Sequence, residues 1–264
     1  MLQGVTSFYW TFVPVISLAL ACWSQDAYTA SGRSLLGKTV SEEKQTREKI
    51  GLFGPKKDLS GFIDRYTEII NTGGLTPLDK ATALIHRGSL YSEQGDCARA
   101  IPDFDEAIRL NLKSSKAYAL RASCYLAINS TVDALRDLDH AISFSPQDVI
   151  LYRERATLFA RLKQYDRAVA DYSKSIALLK GTDSSEMFEL RGDAYRGALR
   201  YERAIDDYQR AVRTIKKNAA RLSPQPTAGV IPRLLVIYGK LSETYQDLAK
   251  STSPAATAVE NPQK

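Results

Sequence analysis

Four arginine–aspartate pairs are the most regular polar feature of this sequence. In each pair the arginine comes sixteen residues before the aspartate. Four carboxylates at matching places could serve as acid–base groups or as cation ligands. We favour structural salt bridges between consecutive helices, because a binding site usually breaks the symmetry of a repeated pattern. If such a salt bridge is exposed, it contributes about 0–1 kcal/mol to the stability of the fold. The pairs are Arg87/Asp103, Arg121/Asp137, Arg155/Asp171 and Arg191/Asp207.

Residue types suited to other chemistry are sparse. The cysteines are Cys22, Cys97 and Cys124, and their spacing matches no zinc-binding motif. The only histidines are His86 and His140, too few for a histidine-rich metal site. No nucleophile–base pairing and no phosphate-binding loop are visible. The sequence therefore predicts no catalytic residue, no metal and no cofactor, and indicates that the protein is not an enzyme.

The charge distribution argues against a nucleic-acid partner. The 264 residues include 36 Lys or Arg and 30 Asp or Glu, for a net charge of +6. The two signs alternate along the chain without a basic block, which is typical of a solvated helical surface. A hydrophobic content of 44% is ordinary for a globular domain. With this content, a chain of 264 residues is long enough to bury a core.

The same four segments that carry the arginines share a second spacing. A small residue is followed three positions later by an aromatic one, as in Gly88–Tyr91 and Gly192–Tyr195. An alanine comes twelve residues after each small residue, a large apolar residue four further on, and another small residue three beyond that. The aligned units begin at residues 81, 115, 149 and 185, so the period is 34, 34 and then 36 residues.

This pattern resembles the tetratricopeptide repeat, a helix hairpin of 34 residues with small and aromatic residues at fixed places. The resemblance implies an all-α fold, a right-handed superhelical solenoid of four hairpins with capping helices at both ends. Thr67 to Gly74 also resembles the opening of exported, envelope tetratricopeptide proteins of alphaproteobacteria. The implied repeats are 81–114, 115–148, 149–182 and 185–218.

Helix packing explains why these residue types recur. Apolar residues return at i, i+3, i+4 and i+7 in both halves of each repeat, which is typical of two amphipathic helices. Small residues let the two backbones approach, and the aromatic residue fills the remaining space. Since one hairpin cannot bury its apolar face alone, neighbouring hairpins must stack.

The flanks predict the limits of the repeat domain, which we place at 58–250. Residues 59–72 read as an N-terminal capping helix and residues 232–250 as a C-terminal one. Residues 22–57 are polar and are predicted to be a flexible tether. The tail 251–264 is rich in Ser, Thr, Ala and Pro and is predicted to be disordered.

Residues 1–21 form an uncharged, largely apolar segment that ends in the A-x-A motif Ala19–Ala21. Three interpretations are open. A cleaved signal peptide predicts a soluble exported protein, and lipidation of Cys22 predicts one anchored by lipid. An uncleaved signal anchor would place the body on the cytoplasmic face, since Arg33 and Lys38 follow the segment and no basic residue precedes it. We favour export to the periplasm or cell envelope.

The resemblance also implies a concave groove lined by the first helix of each repeat, where a protein or peptide partner would bind. Unlike the salt-bridge residues, the groove residues differ from repeat to repeat: the third repeat is basic and the fourth is acidic. Alternatively, Arg153 and Arg161 neutralise the acids of the fourth repeat. The groove candidates are Ser89, Glu93, Lys116, Ser123, Arg153, Thr157, Arg161, Glu186, Glu189, Asp193 and Arg196.

These features together predict an interaction scaffold or adaptor of the cell envelope. Two alternatives remain: a structural protein that self-associates through the helix at 232–250, and a docking subunit of a separate enzyme or secretion complex. Cys97 and Cys124 come from adjacent repeats and are expected to be buried free thiols, with a disulfide as the alternative.

Overall fold

The computed structural model describes residues 33–50, 60–71, 75–180, 183–222 and 229–252. Every regular element within these ranges is an α-helix, which confirms the predicted all-α class. The helices are α1 (Arg33–Ile50), α2 (Ser60–Asn71), α3 (Pro77–Glu93), α4 (Cys97–Leu110), α5 (Ser115–Ala127), α6 (Thr131–Phe144), α7 (Val149–Arg161), α8 (Tyr165–Leu178), α9 (Ser185–Gly197), α10 (Tyr201–Leu222) and α11 (Val230–Thr252).

The chain divides into two compact units, one ending at Pro146 and the other beginning at Gln147. The N-terminal unit contains the hairpins α3/α4 and α5/α6, and the C-terminal unit contains α7/α8 and α9/α10. These are the four hairpins that the residue spacing predicted, and each first helix begins within a few residues of the expected start.

The first hairpin starts where its sequence signals indicate. The Thr76 side chain accepts a hydrogen bond from the backbone N–H of Asp79 at 3.1 Å, and Pro77 occupies the first helical turn. The same kind of cap recurs at α5, where Ser114 accepts from the Ala117 N–H at 3.3 Å. Capped starts leave fewer backbone donors without partners, so the helix ends are set by local sequence.

The turns inside the four hairpins share one backbone feature that the sequence analysis did not predict. A residue with positive φ lies at the same place in each turn: Gly95 at 83°, Asn129 at 61°, Lys163 at 58° and Leu199 at 59°. Glycine adopts this left-handed conformation without a steric penalty, whereas lysine and leucine do so at a cost. Packing of the two helices therefore imposes the turn even where its residue disfavours it.

Small residues sit where two helices approach most closely. A Cβ atom added to Gly88 would lie 2.8 Å from Cε1 of Phe104, on the second helix of the same hairpin. Ala134 and Ala168, which the spacing assigned to the second helices, are both fully buried. The structure thus confirms that the small residues mark a close approach of two helices, but the side chain that fills the space over Gly88 is Phe104 of the second helix and not Tyr91, the aromatic residue three positions on.

Leucine at Ala134 or at Ala168 is expected to lower the free energy of unfolding by about 1–3 kcal/mol, because the added atoms overpack a closed helix interface. Thermal and urea unfolding monitored by circular dichroism would measure the loss. The matched control is Ala98→Leu, since Ala98 is exposed on α4 and should change stability little. Unfolding curves for both core variants that overlay the parent curve would contradict the assigned repeat phase.

The predicted flexible tether at 22–57 requires correction, because Arg33–Ile50 forms helix α1. Leu36, Thr39 and Glu43 lie on one face of α1 and are 1%, 6% and 2% exposed. The Tyr66 hydroxyl on α2 donates to Oε2 of Glu43 at 2.6 Å, and Nδ1 of His86 on α3 lies 3.5 Å from the same oxygen. The polar residues of α1 are therefore not all solvated, because Thr39 and Glu43 lie on its buried face. Helix α2 packs against both α1 and α3.

Several predictions concern residues outside the described ranges. These are the signal or anchor segment 1–21, the lipidation candidate Cys22 and the tail beyond Thr252. Among the residues that the structure does describe, no helix combines the length and the hydropathy that a membrane crossing requires.

Candidate partner-binding groove

In the N-terminal unit the groove candidates lie on α3 and α5, the first helices of its two hairpins. Ser89, Glu93, Lys116 and Ser123 are all half-buried. The Ser89 hydroxyl donates to the carbonyl oxygen of Ile85 at 2.7 Å, and Ser123 donates in the same way to the preceding turn at 3.2 Å. Each hydroxyl donates its one hydrogen to a backbone carbonyl of its own helix, so its oxygen can still accept a hydrogen bond.

In the C-terminal unit, α7 carries the basic part of the groove. Arg153 lies 2.9 Å from Glu154 and 3.7 Å from Glu186, so the predicted neutralisation across this junction occurs at one acid. Thr157 donates to the Arg153 carbonyl at 2.9 Å and contacts the Tyr172 hydroxyl at 3.0 Å. Arg161 is exposed and has no ion-pair or hydrogen-bond partner among the described residues.

The acidic residues of α9 are held by the C-terminal helix α11. Nζ of Lys240 lies 2.7 Å from Oε1 of Glu189 and 2.7 Å from Oδ2 of Asp193. Asp193 also accepts from the Tyr208 hydroxyl at 2.7 Å. Two of the three predicted groove acids on α9 are therefore neutralised by a lysine that the sequence analysis did not assign to the site.

Arg196, the remaining candidate on α9, is also tied to α11. Its guanidinium lies 2.7 Å from Glu243 and 2.8 Å from Asp247. With Lys240, these residues recur at i, i+3 and i+7 along α11, a spacing that places them on one helix face. That charged stripe is the signal from which the contact could have been predicted.

The pKa directions of Lys240 and Arg196 favour the charged forms of both residues. Burial lowers the pKa of Lys240, but the charges and hydrogen bonds of Asp193 and Glu189 outweigh burial, and the net pKa is raised. Hydrogen bonding to Glu243 raises the pKa of Arg196. Burial, followed by the charge of Asp193, raises the pKa of Tyr208, so this hydroxyl remains a donor.

The four arginine–aspartate pairs form as predicted, with Nε and an Nη atom of each arginine donating to both oxygens of its aspartate. The four aspartates are buried, so these salt bridges differ from the weak, exposed kind found on protein surfaces. Arg87 also donates to Thr67, Arg121 to Asp105 and Arg191 to Ser173, so these arginines contact the preceding helix as well. Each of these three therefore joins neighbouring helix pairs within its unit.

Cys97 and Cys124 are buried free thiols, the first of the two predicted alternatives. The Cys124 thiol lies 3.4 Å from the Ser92 hydroxyl. Burial, reinforced by a hydrogen bond with Cys97, raises the pKa of Cys124 to about 12. Across the described residues, no three His, Cys, Asp or Glu side chains come together as possible metal ligands.

Comparison with known proteins finds similarity to one repeat family over part of the chain. A family model described as "Tetratricopeptide repeat" matches residues 86–149. The chain is 27% identical to Hsp70-Hsp90 organizing protein 2 of Arabidopsis thaliana over 90 residues, which are 34% of this chain and 16% of that protein. It is 31% identical to the human mitochondrial import receptor subunit TOM70 over 124 residues, 44% of this chain and 20% of that protein. The chain thus spans a fifth or less of these relatives.

Solved structures extend the likeness of the fold over most of the chain. The MamA protein superposes with a TM-score of 0.60 at 20% identity, covering 74% of this chain and 99% of that one. A tetratricopeptide repeat protein from Parabacteroides merdae superposes with a TM-score of 0.59 at 16% identity, covering 83% and 79%. At these identities the likeness concerns the fold alone.

Proposed function

We propose that this chain, a tetratricopeptide repeat protein, is a non-catalytic scaffold of the cell envelope that holds a segment of a partner protein in its groove. The observation that carries this proposal is the contrast between two sets of residues. The small residues and salt bridges of the core recur from hairpin to hairpin, whereas the charge of the groove residues differs: the third hairpin contributes basic residues and the fourth contributes acidic ones. The relatives named as a chaperone-organizing protein and an import receptor also support a role in protein–protein interaction.

The chemistry of the groove favours an extended polar segment. In the N-terminal unit, Ser89 and Ser123 offer oxygen acceptors on successive first helices. Backbone N–H groups of an extended partner would donate to such a row. In the C-terminal unit, Arg161 has an unused guanidinium and Glu186 keeps more than half of its side chain exposed. A partner segment with a carboxylate for Arg161 would gain a charge-assisted hydrogen bond.

Site-specific photocrosslinking in cells tests where the partner lies. A photoreactive amino acid at Ser123 or at Thr157 should give a protein adduct of discrete mass on denaturing gels. The matched control positions are Val132 and Arg213, which are exposed on second helices. Adducts from the control positions alone, or from none of the four, would contradict groove binding.

Charge reversal then tests the chemistry of recognition. Arg161→Glu combined with Glu186→Lys should reduce the adduct at Thr157 at least about tenfold, the effect of losing roughly 1.4 kcal/mol of binding free energy. Glu189 and Asp193 are unsuitable for this purpose, because their loss would also release Lys240 and disturb α11. The control is Glu202→Lys, an exposed acid on α10, which should leave the adduct unchanged.

The envelope location is the part of the proposal supported by the sequence of residues 1–22. The apolar segment followed by Ala19–Ala21 and Cys22 favours export, with a soluble or lipid-anchored product. Intact mass spectrometry of the chain isolated from cells tests it. A mass lacking the first 21 residues, with or without acyl chains on Cys22, supports export, whereas the full mass supports the cytoplasmic-face anchor.

A further inference from the structure

Helix α11 has the residue pattern of the first helix of a fifth repeat. Ser242 and Tyr245 repeat the small-x-x-aromatic spacing of Gly192 and Tyr195 on α9. Tyr238 comes four residues before Ser242, as Phe188 comes four before Gly192. Ile237 and Leu241 on α11 are buried in the apolar cluster of α10, and Lys240 pairs with α9. The helix thus stacks on the last hairpin as a further first helix would.

The face that a second helix should cover is exposed on α11. In the fourth repeat the corresponding face is closed, since Gly192 lies directly beneath the ring of Tyr208. On α11, Leu235 is 65% exposed, Tyr245 is 49% exposed and Tyr238 is 42% exposed. Within the described residues no helix follows α11. A contiguous row of exposed large apolar side chains is the usual mark of an interaction surface.

The spacing along this face identifies a helix as the occupant. Its residues alternate by four and three, the 3.5-residue period with which one helix packs along another. None of them is charged. We call this surface the α11 stripe; its residues are Ile231, Leu235, Tyr238, Ser242, Tyr245 and Ala249.

We propose that the α11 stripe joins two copies of this chain, with the two α11 helices antiparallel about a two-fold axis near Lys240. In that register Tyr238 of one copy faces Ser242 of its partner, and Ile231 faces Ala249. These two contacts set a large side chain against a small one, and the remaining layer sets the two large side chains of Leu235 and Tyr245 against each other. A two-fold interface must be self-complementary in this way.

The proposed interface continues one that already exists within the chain. The buried face of α11, with Ile237, Leu241 and Thr244, borders the stripe and packs on α10. A second copy would extend this apolar surface as the second helix of a hairpin does. Three charged residues of α11, Lys240, Glu243 and Asp247, are turned away from the stripe because they pair with α9. Pairing therefore leaves the network with α9 intact, and it does not depend on the proposed groove function.

A mixed disulfide experiment tests the partner and the register together. Two full-length variants are made in a Cys22→Ser background: Tyr238→Cys in one and Ser242→Cys in the other. Oxidised glutathione takes two electrons and two protons from the facing thiols, so one intermolecular disulfide forms and two glutathione thiols are released. Mixing the variants should give a disulfide-linked dimer that neither variant gives alone. The native thiols at Cys97 and Cys124 are buried.

Val236→Cys is the matched control, since Val236 is 57% exposed on the same helix but lies off the stripe. It should not crosslink to Ser242→Cys. Sedimentation velocity at protein concentrations of about 1–100 µM provides a second readout, because it detects dimers whose dissociation constant lies in that range. Leu235→Glu with Tyr245→Glu should convert the dimer to monomer, whereas Val236→Glu should leave it dimeric. A parent protein that is monomeric throughout, a dimer that survives the double glutamate variant, or equal crosslinking by the control would overturn the proposal.

Discussion

Replacing Asp207 with alanine is expected to lower the free energy of unfolding of the C-terminal unit by about 3–5 kcal/mol. The Asp207 side chain is 2% exposed and accepts two hydrogen bonds, at 2.7 and 2.8 Å, from Arg191. Its loss would leave the Arg191 guanidinium, which is 14% exposed, with Ser173 as its remaining hydrogen-bond partner among the described residues. Urea unfolding followed by circular dichroism measures the effect as a shift of the transition midpoint.

The neighbouring aspartate supplies the control. Asp206 pairs with Arg210 at 2.8 Å, but both side chains are about half exposed, so Asp206→Ala should cost less than about 1 kcal/mol. The double variant Arg191→Met with Asp207→Leu should recover part of the loss, because it removes the buried charge together with its partner. Equal effects for Asp206 and Asp207 would show that burial does not govern these pairs.

Tyr208→Ala is the second substitution for which a large effect is expected, again about 3–5 kcal/mol. Tyr208 is fully buried, fills the space above Gly192 and donates through its hydroxyl to Asp193. Removing the ring leaves a cavity between α9 and α10 and also deprives the Lys240 network of one donor. The midpoint of thermal unfolding and the urea transition should both fall.

Two companion variants separate the ring from the hydroxyl. Tyr208→Phe keeps the packing and loses one hydrogen bond, so it should cost about 1 kcal/mol. Gly192→Ala places a Cβ atom 2.8 Å from the Tyr208 ring and should be destabilising alone, yet less so when combined with Tyr208→Leu. Additive costs for this pair would argue that the glycine does not serve the close approach of the two helices.

The hairpins could be predicted because their signals are local and repeated. Ala134 and Ala168 mark where two helices touch, and Thr76 with Pro77 marks where a helix starts. The turn conformation could not be read in the same way. Leu199 and Lys163 adopt the positive φ of Gly95 only because the flanking helices are already packed.

Helix α1 was missed for a related reason. In the sequence Glu43 is typical of a solvated acid, but in the structure it contacts Tyr66 and His86, which come from two other helices. A buried carboxylate is stable when hydrogen-bonded partners replace water, and those partners lie 23 and 43 residues away along the chain.

For the groove residues too, the local sequence predicts which helix carries them, whereas contacts with distant residues decide their partners. The resemblance to a known repeat placed Glu189, Asp193 and Arg196 on the correct helix, and their charges were evident. That Glu189 and Asp193 are paired with Lys240 follows from the docking of α11, which lies 51 and 47 residues further along the chain. Helical periodicity relates residues a few positions apart, so it can be recognised in the amino-acid sequence alone. Which charges remain open to a partner depends on which helices meet, and that was decided by the packing of the whole C-terminal unit.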